Sequence, residues 1–554
     1  MRITNKIMQN NSLSNINTNK VSQDKLNTMM STQKKITKPS DDPVIAIRSL
    51  RLRSSVTTIT QYYEKNVPDA KSWLEVTEDS LKNVTDVLTD MIQQVTKGAS
   101  ETLESKDREV VIEQLKELRK ELYSTGDADY AGRYIFTGYR TDTSLSFTEA
   151  KTQKYTITEQ LDSSAIDEIM HVNTKIKDAA GEYIKDANGN YTGASITDVN
   201  DSNYNNTDYS DATEQNCVTA TNLYRIRLAY SDCSDADGAN GGVNDTPMIE
   251  YTDKDGNTCV YCANGVTPAG ATVTGEVTVA HSYDIPDPYE NIPANGVVFL
   301  ADTGELLLSE EAYNTLVNTK DNVNTSNADE SEIRITYSKS EWAKNDLRPE
   351  HYFACESENI KYNEKYLTYG HSRQSMEYDV GFNQVIEINT TADECYTHDI
   401  GREVDDLVAA MQQMVDIEKT VATIESTMKN LSESDPDYNA KKTTLQNQLD
   451  AANKAHTYIK EKVQTEFTTG ITAMQEYLNQ ANLALTNCGT RGAKLDLIES
   501  RLMSQQTTFE TLKSNNEDAD ITEVAIKLNS AEVTYEASLM ATGKIMQTSL
   551  LNFI

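Results

Sequence analysis

The chain has 554 residues, a formal net charge of −35 and a sequence pI near 4.6, a length that suggests several domains rather than one core. So acidic a balance argues against nucleic-acid binding, which needs a basic footprint. No run approaches the ~18 apolar residues of a membrane helix, and no signal-peptide core opens the chain. The expected protein is therefore soluble, has no membrane partner and, if exported, leaves by a route other than the general secretory one.

Residues 1–40 read as a tail. Within residues 1–35, Arg2, Lys6, Lys20, Lys25, Lys34 and Lys35 face Asp24 alone, so the acidity sits elsewhere, mostly in the middle of the chain. Ile3, Ile7, Leu13, Ile16 and Leu26 are scattered among asparagines and serines. Such a segment is amphipathic but weakly specified alone. It is expected to be disordered in the monomer and helical once a partner covers its apolar side.

A joint follows in Pro39, Ser40, Asp41, Asp42 and Pro43. Pro39 disfavours helix at Lys38, either aspartate can accept hydrogen bonds from free N–H groups, and Pro43 fits the first helical position. A helix carrying Ile45, Leu52, Ile59 and Tyr63 is expected from Pro43, ending at Pro68. Leu74, Thr77, Leu81, Val84, Leu88, Met91 and Val95 then alternate spacings of three and four, a coiled-coil seam with one polar member. After Lys97-Gly98 the register resumes at Val111, Leu115, Leu118 and Leu122, so residues 41–140 form the N-terminal half of a helical body.

Over 141–400 the period changes. Asn188-Gly189, Asp255-Gly256 and Thr303-Gly304 stand between short runs such as K-Y-T-I-T (154–158), E-V-T-V (276–279), G-V-V-F-L (296–300) and E-I-R-I-T-Y (332–337), which read as hairpins in a β-rich insertion. Helical periodicity returns over 401–515, with Val421, Ile424, Met428 and Leu431, then an S-E-S-D-P-D break. Leu445, Leu449, Ile459 and Val463 resume it, and the run from Phe467 through Met474, Ala481, Cys488 and Leu495 to Leu502 and Phe509 continues it. Residues 516–554 form a second amphipathic tail with Val524, Leu528, Tyr535, Leu539, Ile545, Leu550, Leu551 and Phe553. Long apolar stripes at both ends must find each other, since neither can bury itself alone. The expected fold is mainly α: a long antiparallel helical bundle or coiled-coil body from both chain ends, with a large β-rich inserted middle domain.

M-R-I-T at residue 1, K-I-T-K-P-S-D-D-P (35–43), G-R-Y-I-F-T-G-Y (132–139) and A-S-L-M-A-T-G-K-I-M-Q-T-S-L-L-N-F-I (537–554) together resemble the flagellin superfamily, most of all its hook–filament junction branch. The likeness covers roughly 1–140 and 400–554. It implies export of the unfolded chain by the flagellar type III apparatus, with the export signal in the N-terminal segment and a chaperone on the C-terminal helix. Outside the cell the two termini would pair as coaxial helices lining a tube, with the insertion pointing outward. A helical ring of such subunits would join hook-associated protein 1 to flagellin, by one heterologous contact repeated without closure. The assembly interface implied is Ile3, Ile7, Leu13, Ile16, Leu26, Val524, Leu528, Tyr535, Leu539, Ile545, Leu550, Leu551 and Phe553. The joint would let tail and body change their relative angle.

No residue pattern asks for an enzyme, a cofactor or a metal. G-T-R-G-A-K (489–494) lacks P-loop spacing, and His171, His281, His351, His371, His398 and His456 are scattered. Cys259 and Cys262, with Cys355, Cys395 and His398, could supply zinc ligands, but structural thiols or a hairpin disulfide are the expected reading. Asp253, Asp255 and Asn257 lack the rest of an EF-hand loop, and an Asp-Gly turn accounts for them. Two rivals stay open: flagellin itself, and a helical scaffold whose outer domain is adhesive or enzymatic.

Overall fold

The computed structural model describes residues 5–100, 102–178, 180–186, 188–235, 245–266, 268–319, 332–367 and 374–551, with side chains over 6–544. Helices α1 (Asn5–Thr32), α2 (Pro43–Gln61), α3 (Val67–Gly98) and α4 (Ser105–Thr125) come first. The short ribbon β1 (Asp129–Tyr130) and β2 (Arg133–Tyr134) precedes β3 (Lys151–Asp162), β4 (Ile166–Asn173), the single turns α5 (Thr207–Ser210) and α6 (Glu214–Cys217), and β5 (Thr219–Arg227). Next come β6 (Met248–Thr252), β7 (Thr258–Cys262), β8 (Thr272–Ala280), β9 (Val297–Leu300), β10 (Glu305–Leu308) and α7 (Glu310–Val317). β11 (Glu332–Trp342), β12 (Ala354–Ser357), β13 (Ile360–Tyr362), β14 (Glu377–Gly381) and β15 (Gln384–Glu387) lead to α8 (His398–Lys429), α9 (Tyr438–Glu517) and α10 (Ile521–Leu551). The chain is thus mainly helical at both ends with a many-stranded sheet between.

It divides into two compact units. The first comprises residues 1–72, 377–387 and 491–554; the second comprises 73–376 and 388–490. In the second unit the sheet runs β13-β12-β3-β11-β6-β7-β8-β9-β10-β5-β4. All neighbours are antiparallel except β7/β8 and β8/β9. The runs read as strands in the sequence lie in β3, β8, β9 and β11. Asp255-Gly256 turns β6 into β7 and Thr303-Gly304 turns β9 into β10, with both glycines at positive φ. Gly304 is doubly required, because a Cβ there would strike the Tyr230 carbonyl.

The helical seam is buried as its spacing demands. Leu74, Thr77, Leu81, Val84, Leu88, Met91 and Val95 of α3 are all buried, and Thr77 spends its hydroxyl on the Trp73 carbonyl at 2.8 Å. On α9, Phe467, Met474, Ala481, Cys488, Leu495 and Leu502 recur every seventh residue and are buried, while Ile471, Leu478 and Leu485 are half-buried. Gly98 is the last residue of α3, and a Cβ there would enter the ring of Phe467. The expected stop at Pro68 is corrected. Helix passes through it by way of a π-turn, Tyr62–Asn66, in which the Val67 N–H reaches back to the Tyr62 carbonyl. The wider turn absorbs the ring and the missing donor of Pro68, so proline displaces the register without ending the rod.

Within the second unit, α4 and α8 run in opposite directions, as their pairs show: Arg108 with Glu418 at 3.3 Å, and Arg119 with Asp405. Tyr123 fastens the far end, donating to the Thr397 carbonyl at 3.1 Å and accepting from the Gly401 N–H at 2.9 Å. A charged layer joins α8 to the sheet. Arg225 and Arg227 of β5 both reach Asp406, at 2.5 and 2.7 Å, Arg225 also binds Glu305, and Arg227 binds Glu403 at 3.0 Å. The two guanidiniums hold Asp406 down at about 2 despite its burial, while burial raises Glu403.

Cys217, Cys233, Cys259, Cys262, Cys355 and Cys395 are free thiols, all but Cys233 buried, and Cys488 is buried too. Burial pushes Cys217, Cys233 and Cys355 up to about 12, so these are inert packing groups. The Asp253 carboxylate accepts from the N–H groups of Asp255 and Asn257, at 2.9 and 2.8 Å, which is the turn its sequence suggested.

Candidate assembly surface

In the first unit, α1 and α10 lie against each other. Asn19 donates to Ser538 at 3.3 Å and Lys34 pairs with Asp518 at 2.5 Å, so the helices run in opposite directions. α1 stops at Thr32, where Gln33 turns to a φ of 58° and offers its carbonyl to the Ala519 N–H at 2.9 Å. The Lys35 N–H returns to the Glu517 carbonyl at 2.7 Å. The break between α9 and α10 is thereby stitched to the end of α1.

The joint behaves locally as its residue types require. The Asp42 carboxylate accepts from the N–H groups of Val44 and Ile45, at 3.0 and 3.1 Å, with Pro43 at the first helical position. Asp41 turns the other way and accepts from Lys38 N–H at 3.0 Å and Thr37 N–H at 3.1 Å. Those bonds hold its carboxyl below the usual range. One aspartate thus caps the incoming helix and the other closes the loop before it.

Sequence reasoning missed the third part of this joint. Glu517, 3 % exposed, receives Ser49 Oγ, Arg53 Nε at 2.5 Å and Arg53 Nη2 at 2.7 Å, with Lys34 Nζ at 3.5 Å. The Arg53 and Ser49 hydrogen bonds, with Lys34 adding charge, hold its carboxyl at about 2. The signal was present only as a charged break, E-D-A-D (517–520), between two periodic runs. Nothing local links it to Arg53.

Of the expected interface residues, Val524 is buried, Ile16, Leu26, Leu528 and Tyr535 are half-buried, and Ile7, Leu13 and Leu539 are exposed. The side chains of Ile545, Leu550 and Leu551, and all of Ile3 and Phe553, lie outside the described residues. Further apolar groups stand in solvent along the same unit: Val21 on α1, Val44, Ile47 and Leu50 on α2, and Ile526, Val533 and Met540 on α10. Val44, Ile47 and Leu50 repeat at a spacing of three and share a face. Exposed aliphatic groups thus recur along α1, α2 and α10 of this unit.

Residues 3–141 match the family model of the bacterial flagellin N-terminal helical region, so this part of the chain is similar to flagellin-type proteins. Within that class the chain is similar to flagellar hook-associated protein 3 of Salmonella typhimurium, 30% identical over 182 residues, or 32% of this chain and 56% of that protein. It is equally similar to flagellar hook-associated protein 3 of Escherichia coli, 30% identical over 186 residues, or 32% of this chain and 57% of that protein. The chain thus spans a little over half the length of these curated relatives. FlgL of Xanthomonas campestris, at 11% identity, covers 84% of this chain and 99% of its own with a TM-score of 0.25, too loose a superposition to bear on the fold.

Proposed function

We propose that this chain is a structural, non-enzymatic axial protein of the bacterial flagellum, the adaptor between the hook and the flagellin filament. The observation that carries the reading is the α1/α10 pair, which leaves Ile7, Leu13, Val21, Ile526, Val533 and Met540 exposed on two helices already packed together. A monomer gains nothing from such a surface; a ring of like subunits buries it. On this reading the two tails are disordered before export and acquire the helical pairing on assembly, as part of an antiparallel helical body. The P-S-D-D-P joint lets the angle between tail and body settle as the ring forms.

Hook-associated protein 1 on one side and flagellin on the other are the partners this role requires, with an export chaperone on the C-terminal helix beforehand. Among the described residues no helix is long and apolar enough to cross a membrane. The test is immunogold electron microscopy of intact flagella with an antibody to residues 150–390. One gold cluster where hook meets filament is the expected result. Gold along the whole filament would make the chain a flagellin instead, and none on the flagellum would overturn the axial role.

A further inference from the structure

Assembly uses the tails, and leaves unexplained a cavity of about 610 Å³ inside the second unit, between the sheet and the helices α4, α8 and α9. That volume falls within the ~300–1,000 Å³ typical of small-ligand sites. We propose that this cavity binds a neutral saccharide, a mono- or disaccharide presented from outside the chain.

The walls decide the ligand class. Arg119, Arg225, Arg402 and Lys462 line the cavity with seven carboxylates. Arg119 is paired to Asp405 and the more deeply buried Arg225 to Glu305 and Asp406, so these charges already neutralise one another. The remaining excess of carboxylate repels an anion. A small cation is opposed from the other side. Arg225 is 9 % exposed, lines the cavity, and keeps its Nε–H without a partner among the described residues. A buried donor of that kind calls for an acceptor, which an ammonium ion lacks. Glu466, which also lines the cavity, is pushed by burial up to about 7, so near neutrality it both donates and accepts.

What is left is a wall rich in donors and acceptors, which suits the hydroxyls of a sugar. Gln413 brings an amide whose Oε1 lies 3.2 Å from Lys462 Nζ, Ser282 a hydroxyl held by Asp302, and Thr303 a hydroxyl bonded to Glu305 at 2.9 Å. Two aromatic rings also line the cavity. The Tyr289 ring stacks on His171 with centroids 4.1 Å apart and planes 6° apart, fixed by the Tyr289 hydroxyl on Glu305 and by His171 on Asp287. A rigid aromatic face beside convergent polar groups is how proteins grip the apolar and hydroxylated faces of a sugar ring together.

The test uses the full chain, titrated by calorimetry with D-glucose, D-galactose, N-acetyl-D-glucosamine and lactose, with citrate and putrescine as the anionic and cationic probes. At least one sugar is expected to bind one-to-one with millimolar Kd or better. Gln413→Ala, at an exposed wall position, and Ser282→Ala are each expected to weaken it about fivefold, the equivalent of one lost hydrogen bond, with circular dichroism showing each variant still folded. The proposal is overturned if no sugar binds, if binding survives both substitutions unchanged, or if putrescine or citrate occupies the site in their place.

Discussion

Glu517 shows how one carboxylate can define a joint. It is buried among Ser49, Arg53 and Lys34, and Arg53 itself is largely exposed, so the pair is worth less than a fully buried one. Hydrogen bonds to a charged group contribute about 1.5–3 kcal/mol, and Glu517→Gln is expected to lose about that much stability at pH 7. The sign of its pH dependence is fixed by a folded pKa near 2 against an ordinary 4.5. The stabilisation is complete above about pH 4.5 and disappears as pH falls towards 2. Denaturant melts of wild type and variant should therefore converge across that window, and a constant gap would show that the charge is not what holds the joint. Gly98 gives a second test, because two effects oppose each other there. Alanine is favoured over glycine in a helix by about 1 kcal/mol, but forcing a methyl into the buried Phe467 ring costs about 1–3 kcal/mol. Packing wins, so Gly98→Ala should lower Tm where a helical glycine usually raises it on replacement.

At the scale of elements, what the sequence revealed was whatever is written within one or two turns. The α3 seam was legible because its members recur at three and four and all face one way. The Asp42 cap and Pro43 were legible because capping is decided within three residues. Asp42→Ala is expected to cost about 1 kcal/mol and to speed amide exchange over residues 43–47 while leaving α4 and α8 protected. Equal exchange in the two proteins would deny the cap its role. Pro68 was misread for the same local reason: a proline predicts a stop unless the turn before it widens, and Y-Y-E-K-N carries no mark of a π-turn. The charged layer of Arg225, Arg227, Glu305, Glu403 and Asp406 was illegible, since its partners lie up to 181 residues apart. Only the folded sheet brings them onto α8. The cavity beside that layer was hidden for the same reason, and Glu517 was hidden by the 464 residues between it and Arg53.

For the whole molecule, exposed aliphatic side chains are concentrated in the first unit, though Val110, Val273, Ile360 and Leu483 of the second are exposed too. The second unit has its own buried core, from the α3 seam to the sheet. The first unit leaves aliphatic side chains in solvent along α1, α2 and α10. Removing residues 545–554 should therefore leave helix content and the main unfolding transition nearly intact, because core burial rather than terminal fraying sets both. Assembly should fail, because a contact repeated around a ring multiplies each subunit's loss by the number of neighbours it must hold. Circular dichroism and thermal melts of the truncated chain, with electron microscopy of cells carrying it, separate the two effects. A truncated chain that melts normally but builds no filament supports an interface at the C-terminal helix. Normal filaments would move the interface elsewhere, and the exposed Val44, Ile47 and Leu50 face of α2 would be the next place to look.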